Sequence, residues 1–262
     1  MKTISSRDNP LYKTLKKLGS SARERRKTSS TILDGIHLVT SYQHTVGLPE
    51  IVVVSPIGLE DPEIREFLRQ VPQAQVVILD DALFREVSTV ETPTGILAII
   101  KKPEAARPVD GHFAVFLEGI QDPGNLGSIL RSAAAAGVEI AYLSGTCVDA
   151  WSPRVLRAGM GAHFGVTIQE HADLARAALQ FPGTTVATAL GAHNSLFDVD
   201  LTGPTAFIIG NEGAGISAEL LHTARLQVTI PMPGTVESLN AAAAAAICLF
   251  ERVRQISASG GK

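Results

Sequence analysis

The feature that most constrains the fold is a series of short apolar runs in the second half of the chain. The runs lack polar alternation, and residues typical of turns bound each of them. Strands that are apolar at every position are buried on both faces, as in parallel sheets covered by helices on both sides. We therefore predict an α/β unit with a mainly parallel sheet, built from strands at residues 113–117, 140–143, 165–168, 185–190, 207–209 and 228–230.

The first hundred residues predict a smaller unit. Leu11, Leu15 and Leu18 recur at helical spacing and indicate an amphipathic helix over residues 9–18, whereas residues 23–30 are expected to form a loop. Further along, short β-rich runs alternate with helical stretches: strands at 31–33, 51–54, 76–79 and 96–100, and helices at 36–44, 62–70 and 80–87. This alternation predicts a small α/β sandwich over 1–100, a proline-containing linker over 101–110, and a second domain over 111–262.

Charge is distributed unevenly along the chain. Residues 1–27 contain nine Lys or Arg against two acidic residues, a local charge of +7, so the remainder carries −10 to give the net charge of −3. Such a basic segment can contact nucleic-acid phosphates without reading a base sequence. From charge alone, a solvated helix face explains the segment equally well.

Several classes of protein are disfavoured. No apolar run is long enough for a membrane span, and the amino terminus does not resemble a signal peptide. Cys147 and Cys248 are far apart, and the seven histidines show no ligand spacing, so neither a disulfide framework nor a metal site is predicted. We expect a cytoplasmic protein with no metal and no membrane association.

Three loops follow predicted strands at the edge where parallel sheets bind ligands, beyond the carboxyl ends of the strands. The first, after residue 117, begins a helix with Asn125 near its start and Arg131 further along. Taken alone, it also fits an ordinary capped helix with an arginine facing solvent.

The other two loops are rich in glycine and proline. Residues 210–216 hold three glycines around Glu212, which lets the backbone approach a ligand closely. In residues 231–240, two prolines and a glycine precede Ser238 and Asn240, either of which can cap the alanine-rich helix that begins at residue 241. That helix is expected to lie against another helix or a symmetry partner, since alanine permits close packing. A glycine-rich turn and a helix cap would explain each loop separately.

In order and spacing, the three loops together resemble the three motifs of the SpoU or TrmH branch of the SPOUT methyltransferases. Residues 6–35, together with 92–97, also resemble the L30e-like RNA-binding domain that many members carry. The resemblance implies a deep trefoil knot and a homodimer for residues 111–262, preceded by an L30e-like sandwich. It also implies methyl transfer from S-adenosylmethionine to a ribose 2′-hydroxyl of structured RNA, with rRNA favoured over tRNA.

The resemblance further implies which residues form the site. The catalytic set corresponds to Asn125, Arg131, Glu212, Ser238 and Asn240. The cofactor pocket corresponds to Leu190, Gly191, Ile209, Gly210, Ile230, Met232, Ser238 and Leu239.

A guanidinium stays charged to very high pH and is a poor base. We therefore hypothesise that Arg131 binds the target phosphate and stabilises the developing alkoxide. Glu212 and Asn125 would hold Arg131 in place, and Ser238 and Asn240 would organise the third loop. The main alternative is a catalytically inactive RNA-binding protein of the same fold. A nucleotide-dependent oxidoreductase is disfavoured, because no G-x-G-x-x-G follows an early strand.

Overall fold

The chain folds into two compact units. A computed structural model describes residues 2–103, 111–211 and 213–259. The first unit comprises Met1–Glu104 with Trp151–Phe164, and the second comprises Ala105–Ala150 with Gly165–Lys262. The strands are β1 Lys2–Ile4, β2 Ser30–Asp34, β3 Ile51–Val54, β4 Gln75–Leu79, β5 Ile96–Lys101, β6 Phe113–Leu117, β7 Ile140–Leu143, β8 Thr167–Gln169, β9 Thr184–Thr188, β10 Asn194–Ser195, β11 Thr205–Ile209 and β12 Leu226–Thr229. The α-helices are α1 Pro10–Ser20, α2 Ala22–Thr28, α3 Ile36–Thr45, α4 Pro62–Gln70, α5 Asp81–Val87, α6 Pro123–Ala136, α7 Pro153–Gly159, α8 Leu174–Gln180, α9 Ala218–Thr223 and α10 Ala241–Ser259.

The first unit is the predicted small α/β sandwich. Its five strands lie in the order β1-β4-β3-β5-β2, and β5 runs antiparallel to both of its neighbours. On one face, α1 and α5 bury a cluster of apolar side chains against the sheet, with Leu15, Leu18 and Phe84 almost fully enclosed. The apolar residues that predicted helix α1 are therefore the ones that anchor it.

The predicted loop over residues 23–30 is wrong, because most of it forms helix α2 and its last residue begins β2. Ser21 caps the helix by accepting a hydrogen bond from the backbone N–H of Glu24 at 3.2 Å, and the pair matches the S-x-x-E capping signal. Arg25 is buried, and its Nη1 donates to the backbone oxygen of Leu18 at 2.5 Å. The capping hydrogen bond and the buried Arg25 thus stabilise a helix here, although the high density of charge favours a loop.

The segment Trp151–Phe164 groups with the first unit, whereas the sequence boundaries leave it within residues 111–262. Trp151 is buried, and its backbone carbonyl accepts a hydrogen bond from Thr31 Oγ1 at 2.7 Å. Tyr42 and Phe164 add an edge-to-face ring contact with centroids 5.3 Å apart. The domain boundaries drawn from the sequence remain predictions, and residues 104–110 of the predicted linker lie outside the described residues.

The second unit is a seven-stranded sheet in which every pairing is parallel. The strand order is β10-β12-β9-β11-β6-β7-β8, and all residues of the central strands β6 and β11 are buried. Helices α8 and α9 cover one face, while α10 packs on β11 and α6. The prediction of a parallel sheet buried on both faces is confirmed, and the alanine-rich helix lies against another helix as expected. None of the helices in the described ranges combines the length and apolar character that crossing a membrane requires.

Candidate active site

A cavity of about 410 Å³ lies where the loops that follow β9, β11 and β12 meet. These strands are neighbours in a parallel sheet, so their carboxyl ends share one edge. Seven of the eight residues that the sequence assigned to the cofactor pocket line it: Leu190, Ile209, Gly210, Ile230, Met232, Ser238 and Leu239.

Gly191 is the exception, since it does not line the cavity. It has a φ of +79° in the loop after β9, a backbone conformation that favours glycine. The structure also adds lining residues that the sequence analysis missed, among them Thr188, Asn211 and Thr229. Their position at or just beyond the strand ends is the signal that could have found them.

The loop after β11 is folded tightly on itself. Asn211 and Gly215 form a two-way backbone bridge, with N···O distances of 3.2 and 2.8 Å. A Cβ placed on Gly210 would lie 2.3 Å from the backbone oxygen of Gly215, so only glycine fits there. Glu212, a proposed catalytic residue on this loop, lies outside the described residues.

Two residues of the predicted catalytic set are in direct contact. Asn240 Nδ2 donates to Asn125 Oδ1 at 2.8 Å, although 115 positions separate them in the chain. Asn240 also caps α10, because its Oδ1 accepts from the backbone N–H of Ala242 at 2.9 Å. Of the two capping candidates, Asn240 is therefore the cap, while Ser238 is exposed at the cavity.

Arg131 lies on α6, two turns along a helix that Asp122 caps through the backbone N–H of Asn125 at 2.8 Å. Its side chain is exposed. No hydrogen bond or ion pair joins its guanidinium to another residue in the described part of the chain. The structure thus brings Asn125 and Asn240 together and leaves the Arg131 cation available to a ligand.

Metal-binding residues do not cluster in the described ranges, where no three His, Cys, Asp or Glu side chains are grouped closely enough to hold an ion. The chemistry open to the described site residues is recognition of a ligand by backbone and apolar groups, next to amide and guanidinium side chains.

Comparison with known proteins agrees with this architecture. The SpoU rRNA Methylase family model matches residues 112–250, and the MRM3-like substrate binding domain matches residues 2–98. An uncharacterized tRNA/rRNA methyltransferase from Synechocystis is 33% identical over 259 residues, spanning 97% of this chain and 94% of that protein. The Bacillus subtilis 23S rRNA (guanosine(2553)-2'-O)-methyltransferase RlmP is 32% identical, with 95% and 98% of the two chains covered. Among solved structures, an AdoMet-bound rRNA methyltransferase from Sinorhizobium meliloti has a TM-score of 0.85 at 27% identity. The match covers 97% of this chain and 98% of that one.

Replacing Gly210 with Ala should destabilise the second unit, because the added Cβ meets the backbone of Gly215 rather than a movable side chain. Overpacking of this kind costs about 1–3 kcal/mol, which urea denaturation would measure. Gly203→Ala is the matched control, since a Cβ there meets nothing within 4 Å. Equal urea midpoints of unfolding for the two variants would contradict the close approach of Gly210 to Gly215.

Proposed function

The chain belongs to the SpoU rRNA methylase family, and we propose that it transfers a methyl group from S-adenosylmethionine to a ribose 2′-hydroxyl of rRNA. The observation that carries the proposal is the cavity at the sheet edge, which gathers residues from the second and third motifs. Two similar proteins are named 23S rRNA 2'-O-methyltransferases, RlmP of Bacillus subtilis and an enzyme of Streptomyces viridochromogenes. A similar solved structure, the SpoU methyltransferase AviRb, is a complex with the cofactor AdoMet.

The cavity suits S-adenosylmethionine in size and chemistry. Its volume of about 410 Å³ falls within the range of roughly 300–1,000 Å³ common for ligand pockets. Leu190, Ile209 and Leu239 offer apolar surface to the adenosine ring system, and Gly210 exposes backbone without a side chain in the way. S-Adenosylmethionine would supply a methyl carbon on a sulfonium, so that the bond from the ribose oxygen to this carbon forms as the carbon–sulfur bond breaks, releasing S-adenosylhomocysteine and the hydroxyl proton. The protein's task is to align the hydroxyl with the methyl group.

We assign the chemistry next to this pocket to the first motif. Arg131 places a permanent positive charge where the ribose oxygen develops negative charge, and it binds the target phosphate. We propose that Asn125 and Glu212 hold Arg131 in place when RNA is bound, although no hydrogen bond joins Asn125 to the Arg131 guanidinium, two residues that the structure describes. Asn240 fixes the third loop to α6 through Asn125, and Ser238 completes that loop at the cavity.

Arg131→Ala should lower kcat for methyl transfer by about 10²–10³-fold, the usual effect of removing one donor from a charge-stabilising site. The affinity for S-adenosylmethionine should stay within roughly threefold of wild type, because Arg131 does not line the cavity. A radiolabelled methyl-transfer assay and calorimetry measure the two quantities. Arg176→Ala removes an exposed arginine from α8 as a control.

Retained turnover in the Arg131 variant would contradict the assignment. A wild-type protein that binds RNA but not S-adenosylmethionine would instead support the alternative, an inactive RNA-binding protein of this fold.

We propose that residues 1–100 bind the RNA and that helix α2 supplies much of the contact. By formal charge, the first unit carries 16 Lys or Arg against 13 acidic residues, and the second carries 7 against 13. Arg23, Arg26 and Lys27 are exposed at i, i+3 and i+4 on α2. No ion pair joins any of the three to an acidic side chain within the described ranges, so the face is available to phosphates.

Replacing Arg23, Arg26 and Lys27 together with Gln should weaken binding to rRNA transcripts at least about tenfold and lower the slope of log K against log salt by roughly 2. Filter binding at several salt concentrations measures both. The control replaces Arg65, Arg69 and Arg85, which lie exposed on α4 and α5, with Gln for the same change in net charge. Equal losses in the two triple variants would contradict a specific role for α2.

We further propose that the protein is a homodimer and that it acts in the cytoplasm. Ala243, Ile247 and Phe250 form an apolar stripe along α10 at helical spacing, and Phe250 is 45% exposed. This stripe supports a homodimer through residues 111–262, for which sedimentation is the direct measurement. The trefoil knot remains a prediction for the same residues, and we place the reaction in the cytoplasm.

A further inference from the structure

The side-chain amide of Asn211 uses both of its ends. Its Nδ2 donates to the backbone oxygen of Gly119 at 2.9 Å, and its Oδ1 accepts from the backbone N–H groups of Gly213 and Ala214 at 2.8 and 3.1 Å. A carbonyl oxygen can only accept and a backbone N–H can only donate, so these partners fix the orientation of the amide.

The oxygen end shapes the wall of the cavity. By accepting two successive N–H groups, Oδ1 closes a turn of the kind that Asn side chains make with the backbone two residues on. Gly213 and Ala214 both line the cavity, so this turn determines how the loop after β11 faces a bound ligand.

The nitrogen end holds the segment that leads into α6. Gly119 follows β6 with a φ of +67°, and its own N–H donates to Ser144 Oγ at 3.0 Å. Its backbone oxygen accepts from Asn211, so the peptide is held from both sides. Pro123, four positions later, begins the helix that carries Arg131.

We infer that Asn211 is a positioning residue that couples the cavity wall at Gly213 and Ala214 to the helix that carries Arg131. The amide oxygen holds the cavity wall, and the amide nitrogen holds the segment that leads into the helix. The inference rests on the proposed function for its catalytic consequence, whereas the hydrogen bonds themselves do not depend on it. A second link joins the same loops, because Glu118 Oε2 accepts from the backbone N–H of Ser217 at 2.7 Å. Variants of Asn211 should therefore fold, and their defects should be local.

Three substitutions separate the two ends. Asn211→Asp and Asn211→Ser keep an oxygen that can accept from the loop but remove the donor to Gly119. Asn211→Ala removes both functions. Asn194→Asp is the matched control, since the exposed Asn194 amide also donates to a backbone oxygen, that of Gln227 at 3.3 Å.

Hydrogen exchange measured by mass spectrometry is the readout that does not require activity. In the Asp and Ser variants, the amides of Glu118 and Gly119, which donate to the backbone oxygen of Ile209 and to Ser144 Oγ, should exchange faster, while those at 213–216 keep the wild-type rate. In the Ala variant, both segments should exchange faster. Asn194→Asp should leave both segments at the wild-type rate.

Binding and turnover should separate in the same way. For the Asp and Ser variants, the Kd for S-adenosylmethionine should stay within roughly threefold of wild type, while kcat on rRNA falls about 10- to 100-fold because Arg131 is displaced. For the Ala variant, the Kd should also rise about tenfold.

Two results would overturn the inference: unchanged exchange at 118–119 in both the Asp and the Ser variant, or wild-type kcat in both. A wild-type protein that neither binds S-adenosylmethionine nor methylates rRNA would sink the proposed function instead, and the exchange data would still decide the role of Asn211.

Discussion

Burial of the seven-stranded sheet on both faces is the constraint on which the site depends. The five residues of β6 and the five of β11 are all enclosed, and apolar burial of this kind is worth about 25 cal/mol per Å². Since helices take up both faces, polar chemistry is confined to the edges of the sheet. Because every pairing is parallel, the carboxyl ends of the strands gather at one edge. The cavity between the loops after β9, β11 and β12 follows from that arrangement.

Crowding at this edge explains which residues hold the site. The backbone at Gly210 lies so close to that of Gly215 that no Cβ fits. Beyond the strand ends, where backbone pairing stops, amide side chains supply hydrogen bonds between the loops. Asn240 caps α10 and reaches Asn125 on α6, while Asn211 ties its own loop to Gly119. Each amide satisfies groups on two segments, so the loops position one another around the cavity.

Much of the second unit could be predicted from short stretches of sequence. Continuous apolar runs gave the strands of the parallel sheet, and glycines and prolines marked the loops. Other features depend on partners distant in sequence. The role of Asn211 requires Gly119, 92 positions away, and the grouping of Trp151 with the first unit depends on Thr31, 120 positions away. Helix α2 was missed for a different reason, since its capping signal at Ser21 lies within a run of charges that resembles a solvated loop.

The fold and the site together indicate that this protein methylates a ribose hydroxyl of rRNA. The most direct measurement compares 2′-O-methylated positions across rRNA and tRNA in a strain lacking the gene, its parent, and the deletion strain complemented with the wild-type gene. We expect that a 2′-O-methyl group disappears from rRNA in the deletion strain and returns on complementation. Identical maps in all three strains would contradict the claim, and a loss confined to tRNA would contradict the assignment of rRNA as the substrate.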